Sequence, residues 1–515
     1  MKRPFSRLVF GSIWLLTMLF LAGCAGDDDD DDSGAGETDD DASPVDDDDD
    51  DNDDDNDDDN DDDNDNDNDD DNDDDTTPNP YEGMAPSGIA IDEMLAIASH
   101  MSYDVEDDYA RNFEIARDVE AGVSYSRRGF YWNHIEPSDN VWDFAGYDVM
   151  VGLLTEAGIE PTAFLTHSVG WAAPGGSPNE IDPAVWADFA ATTAARYADQ
   201  IERWEIWNEA NTSMFWDPPS PEHYGDLLKA SYTAIHANDE SATVIFTGLS
   251  GFDPNLLDPR GIWNFIARVA EAHPDICDYM DALAIHPYTF LQQPGPELTV
   301  DLTIYHYPNL RDSIAEARGL LEDIGCGDLP IHLTEVGWPD FFIGEDRQAA
   351  YLARGVMLAR SAGAASYYWY TFFNENDAAD IDLPTEDWFG LYTNPELGEP
   401  QVKPSFEALM GVHLMLGGSR YAGDLGAALA WGDDNYALAF ADDGGNWTLG
   451  IWHAAPKLDE EATVTVPLPP GATGTWILYD QNGETVTQGD AADGAVEATL
   501  NGRVQYLRVA VSPGR

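Results

Sequence analysis

The sequence predicts an α/β protein: a (β/α)8 TIM barrel followed by a C-terminal antiparallel β-sandwich, both behind an acidic stretch that cannot fold. Three observations carry this. From about residue 81 to 410, short apolar runs alternate with amphipathic stretches of helical length. After Pro404 only short alternating runs remain, punctuated by Gly, Asp, Asn and Pro. Residues 27–75 hold 32 Asp and one Glu and contain no Lys or Arg. The expected organisation is a signal segment over 1–23, a disordered linker over 24–80, the barrel over 81–410 and the sandwich over 411–515.

At the start of the chain, Lys2, Arg3 and Arg7 precede an apolar run over residues 8–21. At about 14 residues the run is shorter than the roughly 20 that a membrane span needs. It ends in Leu21-Ala22-Gly23-Cys24, which resembles the lipobox of bacterial lipoproteins. That resemblance implies cleavage before Cys24, a lipid on Cys24, and anchorage to the cell envelope. Ala at position 25, rather than Asp, points to the outer membrane or surface of a Gram-negative bacterium. Beyond it, Asp-Asp-Asp-Asn repeats run through Asp53 to Asn64. Like charges repel, and nothing there can bury apolar area to offset the entropy of ordering. The repeats lack the glycine turns and mixed ligands of a calcium loop. The reading is therefore an extended tether with weak divalent-cation binding.

The whole chain has 515 residues, 100 acidic against 23 basic, and a net charge of -77. Residues 76–515 alone hold 67 acidic and 20 basic groups, a net of -47, which excludes a surface built to hold nucleic-acid phosphates. Three cysteines are too few for a disulfide framework or a four-cysteine zinc site. No cluster with metal-ligand spacing stands out, and no cofactor is expected.

Strand-like runs fall at 160–166, 203–207, 243–247, 282–285, 330–334 and 365–370, with two vaguer ones near 94–98 and 122–131. Helix-like stretches lie at 107–121, 184–197, 221–238, 262–272, 310–324 and 346–362. Eight pairs over some 330 residues fit the barrel. The doubly wound alternative lacks a glycine-rich fingerprint after its early strands. The sandwich strands are expected at 436–440, 447–452, 462–466, 474–479 and 505–511.

In such a barrel, side chains at the C-terminal ends of strands face the active site. Two glutamates sit there. Glu209 closes Trp204-Glu205-Ile206-Trp207-Asn208-Glu209, and Glu335 closes Ile331-His332-Leu333-Thr334-Glu335. By count these end strands four and seven, on opposite sides of the mouth. Paired carboxylates are what cleavage of a glycosidic bond requires.

The same segments resemble clan A glycoside hydrolases. The run 204–211 (WEIWNEAN) is similar to the acid/base motif, and 333–338 (LTEVGW) to the nucleophile motif. Arg127 and Trp132, with Ile135-Glu136-Pro137, resemble the strand-two motif. The runs 284–288 (AIHPY) and 368–370 (YWY) resemble those of strands six and eight. The likeness covers roughly 90–410 and looks nearest to family 39, with family 5 next. It implies a retaining hydrolysis of β-glycosidic bonds in a poly- or oligosaccharide, with Glu335 as nucleophile and Glu209 as acid, then base. It implies that Asn208 meets the sugar 2-hydroxyl and that Arg127 and Tyr288 keep Glu335 ionised. Arg128 competes with Arg127, because register is uncertain by one residue. His286 is a further candidate at the site. Trp369 is expected to form the floor under the sugar, and Trp132, Trp171, Trp216 and Trp338 to line further subsites. His167 is a weaker candidate, and His332 is expected to be structural. Cys277 and Cys326 precede neighbouring strands and could bridge in an oxidising compartment. The competing reading is a catalytically silent carbohydrate-binding lipoprotein on the same barrel.

Overall fold

Eight parallel strands close into a barrel: Leu95–Ala98, Tyr125–Tyr131, Glu160–Thr166, Arg203–Ile206, Thr243–Ser250, Ala282–His286, Ile331–Val336 and Ser366–Tyr370. The last pairs with the first, Tyr367 opposite Leu95. The computed structural model describes residues 79–100, 108–251, 264–289, 294–301, 306–375 and 386–512. The signal segment, Cys24 and nearly all of the acidic linker lie outside the described residues. Among the described residues, no helix is long and apolar enough to cross a membrane.

Local chemistry sets the helix boundaries. Asp182 caps Pro183–Tyr197 by accepting from the Ala184 N–H, and Ser220 caps Pro221–His236 through the His223 N–H; each helix has Pro in its first turn. Asn309 caps Leu310–Asp323 in the same way. Helix Ala145–Glu156, which the sequence reading did not single out, covers strand three. Strand pleating divides each sequence between two surroundings. On strand two, Phe130 turns outward against Tyr147 and Tyr197 of the helices. Tyr125, one pleat below Arg127, turns inward, where the Arg203 guanidinium lies 3.5 Å from its ring. In the same layer, the Tyr368 hydroxyl bonds the Thr162 hydroxyl at 2.6 Å. His332 bonds Ser366 at 2.7 Å and is held down to about 3 by burial, as befits a structural residue.

The C-terminal sheet has seven antiparallel strands in the order Ser87–Ala90, Arg420–Asp424, Asn435–Ala441, Asn446–His453, Gln505–Val511, Ala472–Tyr479 and Thr485–Asp490. Its first strand precedes the barrel in the chain. Alternation splits this sheet too. Leu438, Phe440, Trp452 and Tyr506 join the core of the barrel. Ala439, Leu449, Ile451 and Leu507 pack under a two-stranded ribbon, Ala462–Pro467 with Ala495–Leu500. The contact with the barrel is close: a Cβ on Gly450 would meet the Met357 sulfur at 2.3 Å, so any larger residue would force Met357 to move. Trp452 also donates to Glu297 at 2.9 Å. Pro80–Arg515 is one compact unit. Cys277 and Cys326 are disulfide-bonded, just before strands six and seven.

Candidate active site

Strand four stops at Ile206, and the chain then leaves the pleat. Trp207 and Glu209 both adopt left-handed backbone, with φ of 71° and 44°. Such conformations cost a non-glycine residue energy and concentrate at functional sites. Strand seven departs by another device. Its register against strand eight shifts between Leu333 and Val336. A bulge re-aims a side chain, and here that side chain is Glu335. The two carboxylates thus converge: one oxygen of each, with a ring nitrogen of His286, all lie within 4.8 Å of one another.

Arg127 organises this centre. Its Nη1 donates to Glu335 Oε1 at 2.6 Å, and its Nη2 to Asn208 Oδ1 at 2.7 Å. Its Nε and Nη2 also form a fork on Glu205, at 2.8 and 2.9 Å. The guanidinium lies 4.0 Å from the centre of the Phe164 ring. Burial opposes its charge, but Glu205 and Glu335 outweigh that and lift Arg127 above its ordinary value. Arg128 turns to the outside, where it bonds Glu114 at 2.6 Å and the Ser99 carbonyl. Pleating thus assigns the site to Arg127.

His286 Nδ1 lies 2.8 Å from Glu209 Oε1, and its Nε2 lies 3.1 Å from the Thr334 hydroxyl. The imidazole fits because position 248 is glycine; a Cβ there would be 2.1 Å from Nε2. The Tyr288 hydroxyl donates to Glu335 Oε2 at 3.0 Å. These contacts move the two acids in opposite directions. Burial raises Glu209 above its ordinary value, and the His286 bond offsets this only in part. Burial would raise Glu335 as well, but the charges of His286 and Arg127 and the Tyr288 bond hold it below its ordinary value. His286 itself is raised: burial disfavours its charge, but Glu335 and Glu209 favour it more.

Glu209, His286 and Glu335 are also the donor types a metal uses. The Arg127 guanidinium on Glu335 puts a fixed positive charge beside them, which disfavours a cation there. The arrangement suits proton transfer and charge stabilisation by side chains alone.

The tryptophans require correction. Trp369 is 1% exposed, donates to the Phe389 carbonyl at 3.1 Å and lies against Trp338, so it belongs to the core and has no face open to a sugar. The next residue, Tyr370, occupies the inward pleat, is half-buried, and lies 5.3 Å from Phe389 ring to ring. Trp132 is fully buried, stacks on Phe189 and donates to Glu136. Trp216 and Trp338 are buried too, bonded to Asn179 and to Thr289. Trp171 is half-buried against Trp132 and donates to the Glu136 carbonyl. None of these except Trp171 has an open ring face. His167 is exposed at the end of strand three.

Four residues escaped the sequence reading. Glu205 looks like a strand interior, yet it is the buried counter-ion of Arg127 and accepts the Gly248 N–H. Tyr370 lay one pleat away from the choice made. His100 and Glu375 bond each other at 2.5 Å beyond strands one and eight, with side chains 49% and 36% exposed. His100 lies edge-on to Tyr370, at 5.5 Å. The strand-end rule that found Glu209 and Glu335, applied to all eight strands, points to this pair as well.

No protein-family model and no curated protein matches the chain. Solved structures do. A family 39 glycoside hydrolase from the gut symbiont Bacteroides cellulosilyticus aligns over 83% of both chains, with a TM-score of 0.64 and 23% identity. The family 39 enzyme of Xanthomonas axonopodis pv. citri aligns with a TM-score of 0.57 and 17% identity, over 83% of this chain and 96% of that one. A monomeric β-xylosidase from Caulobacter crescentus gives 0.59 and 16%, over 84% and 98%. These likenesses establish the fold: the closed (β/α)8 barrel is one that this chain shares with solved glycoside hydrolases.

Proposed function

We propose that the protein is a retaining glycoside hydrolase acting on β-glycosidic bonds of a poly- or oligosaccharide. The observation that carries this is the pair Glu209 and Glu335: one buried and the other 13% exposed, with oxygens converging within 4.8 Å, and displaced in opposite directions, one toward the protonated and one toward the ionised form. Oxygens this close favour the retaining geometry, with carboxyl groups about 5–5.5 Å apart, over the inverting one at roughly 6.5–9.5 Å. Titratable neighbours with separated pKa values divide acid from nucleophile.

In the first step Glu335 attacks the anomeric carbon while Glu209 gives its proton to the departing oxygen. The bond to the leaving sugar breaks as the glycosyl ester on Glu335 forms. Esterification removes the charge of Glu335, and Glu209 is left as the carboxylate. It then takes a proton from water, whose oxygen displaces Glu335. Arg127 and Tyr288 stabilise Glu335 each time it becomes an anion. With Asn208 Oδ1 engaged by Arg127, its amide nitrogen is the group to meet the 2-hydroxyl. Tyr370, His100 and Glu375 form the wall that recognises the bound sugar. The β-xylosidase among the structural neighbours supports placing xylosides in the first substrate panel.

The chain is proposed to be tethered to the cell envelope through lipid on Cys24, with the acidic linker as spacer and weak divalent-cation binder. The disulfide supports an oxidising compartment. Cys24→Ser should release the protein from membranes and abolish incorporation of radiolabelled palmitate.

The deciding experiment is hydrolysis of aryl β-glycosides and β-linked polysaccharides, with proton NMR of the first product anomer and Glu335→Ala as control. Hydrolysis that yields the β-anomer first and is lost in Glu335→Ala supports the proposal. An α-anomer first would overturn retention. Glycan binding by both proteins without hydrolysis would favour the silent binding lipoprotein.

A further inference from the structure

A cavity of about 440 Å³ opens at the ends of strands three and four. One wall is Thr166, His167 and the following loop through Pro178. The other is Trp207, Met214 and Phe215. That second wall belongs to the segment that carries Glu209. The segment is pinned at both ends: the Trp207 indole donates to the Phe215 carbonyl at 3.2 Å, and the Thr212 N–H donates to the Glu209 carbonyl at 2.9 Å. His167 is left-handed, with φ of 71°, and lies edge-on to Tyr131 at 4.7 Å.

We infer that this cavity is the leaving-group subsite of the glycosidase proposed above, and that it receives a neutral sugar ring. The inference rests on that reading. A general acid gives its proton to the glycosidic oxygen, so the departing sugar must lie against the part of the chain that presents the acid. Here that part is the Trp207–Phe215 side of the mouth; Arg127 and Tyr288, which grip the nucleophile, come from strand two and the loop after strand six. The volume lies in the range of pockets that hold small ligands. Met214 and Phe215 offer apolar surface to the C–H face of a ring, and the Thr166 and Ser168 hydroxyls and the His167 imidazole offer polar contacts.

The charge of the walls selects the sugar. None of the lining residues is Asp, Glu, Lys or Arg. Although His167 reaches solvent, partial desolvation of its ring, which packs edge-on to Tyr131, and the neighbouring His134 hold it below its ordinary value, which favours the neutral form. Residues 76–515 carry a net charge of -47. A uronic acid entering this cavity would meet an acidic protein with no Lys or Arg among the described lining residues to receive its carboxylate.

The test compares substrates that share a glycone and differ in leaving group. β-Glycosyl fluorides lose an atom too small to use a sugar subsite; β-1,4-linked disaccharides use it fully. The panel comprises xylosyl, glucosyl, galactosyl and mannosyl fluorides with the matching disaccharides. A Cβ on Gly170 meets nothing within 4 Å, so Gly170→Trp adds a ring at the cavity without a backbone clash. Met214→Ala removes a wall side chain that is 45% exposed, and such a change leaves the core intact. In the full-length protein, the ratio of kcat/KM for disaccharide to that for fluoride should fall at least ten-fold in Gly170→Trp and several-fold in Met214→Ala. A disaccharide with a uronic acid on the leaving side should be cleaved at least ten-fold less efficiently than its neutral counterpart. Unchanged ratios in both variants, in a parent that hydrolyses the fluorides, would overturn the subsite and leave the glycosidase reading standing. Equal efficiency on uronic and neutral leaving groups would overturn the choice of sugar. A parent inert on every fluoride and disaccharide would overturn the glycosidase reading, and the subsite with it.

Discussion

Replacing Tyr288 with Phe removes one hydroxyl and nothing else of its shape, and the consequence can be worked out from contacts already described. That hydroxyl donates to Glu335 Oε2 at 3.0 Å, in surroundings where Glu335 is 13% exposed. A hydrogen bond to a charged group contributes about 1.5–3 kcal/mol. Since one pKa unit corresponds to about 1.4 kcal/mol, its loss should raise the Glu335 value by roughly 1–2 units. Glu335 attacks only as the anion, so activity is lost as pH falls through its pKa. In the parent that pKa is held below the ordinary value. The acid limb of the kcat/KM profile, which reports the free enzyme, should therefore move to higher pH by about 1–2 units. The alkaline limb, set by the raised Glu209, should move less, because the hydroxyl bonds Glu335. The assay is a pH profile of fluoride hydrolysis for the parent and Tyr288→Phe. An acid limb that stays in place or moves down would refute the electrostatic account of the nucleophile.

Further expectations follow from the same geometry. Glu209→Ala should lower turnover of poorly activated substrates by about 10²–10⁴-fold; with a leaving group that departs without a proton, such as fluoride, added azide should restore turnover and give a β-glycosyl azide, and failure to trap it would contradict the covalent route. Arg127→Met leaves Glu205 buried without its partner and should cost about 3–5 kcal/mol, read by chemical denaturation. Tyr370→Ala should raise KM while the protein stays folded. Trp369→Ala should instead destabilise by about 3–5 kcal/mol, as expected for a buried ring, and a reversal of these two results would show that the pleat was misassigned. Replacing Cys277 and Cys326 with Ser opens a loop spanning 49 residues and should cost on the order of 4 kcal/mol at unchanged kcat, because the bridge lies at the opposite end of the barrel.

The barrel was legible because its strands are buried on both sides and read as apolar runs between amphipathic helices. Strand three was bounded to the residue, Glu160–Thr166. Strands one and two were vaguer for physical reasons. Leu95–Ala98 is four residues long and half alanine, and Tyr125–Tyr131 carries Arg127 and Arg128 side by side because each has a buried carboxylate waiting. Thr485–Asp490 was missed because it is exposed on both faces and shows no alternation. Ser87–Ala90 was missed because its partners lie more than three hundred residues further along the chain. At the site, strand-end position sufficed to find Glu209 and Glu335. It could not tell which face Trp369 takes, since one pleat separates an inward-facing position at the mouth from a core residue. Nor could it find Glu205, whose importance depends on an arginine 78 residues away.

The strand Ser87–Ala90 also bears on how such a protein could arise. The C-terminal sheet is assembled from chain on both sides of the barrel, so in sequence the barrel is an insertion between the sheet's first and second strands. Gene rearrangement that moved residues 95–416 alone would strand an unpaired edge at one end and expose Leu438, Phe440 and Trp452 at the other. The heritable unit is therefore the barrel and sheet together. Diversification within this architecture is then expected to proceed through the loops at the mouth rather than by exchange of whole domains.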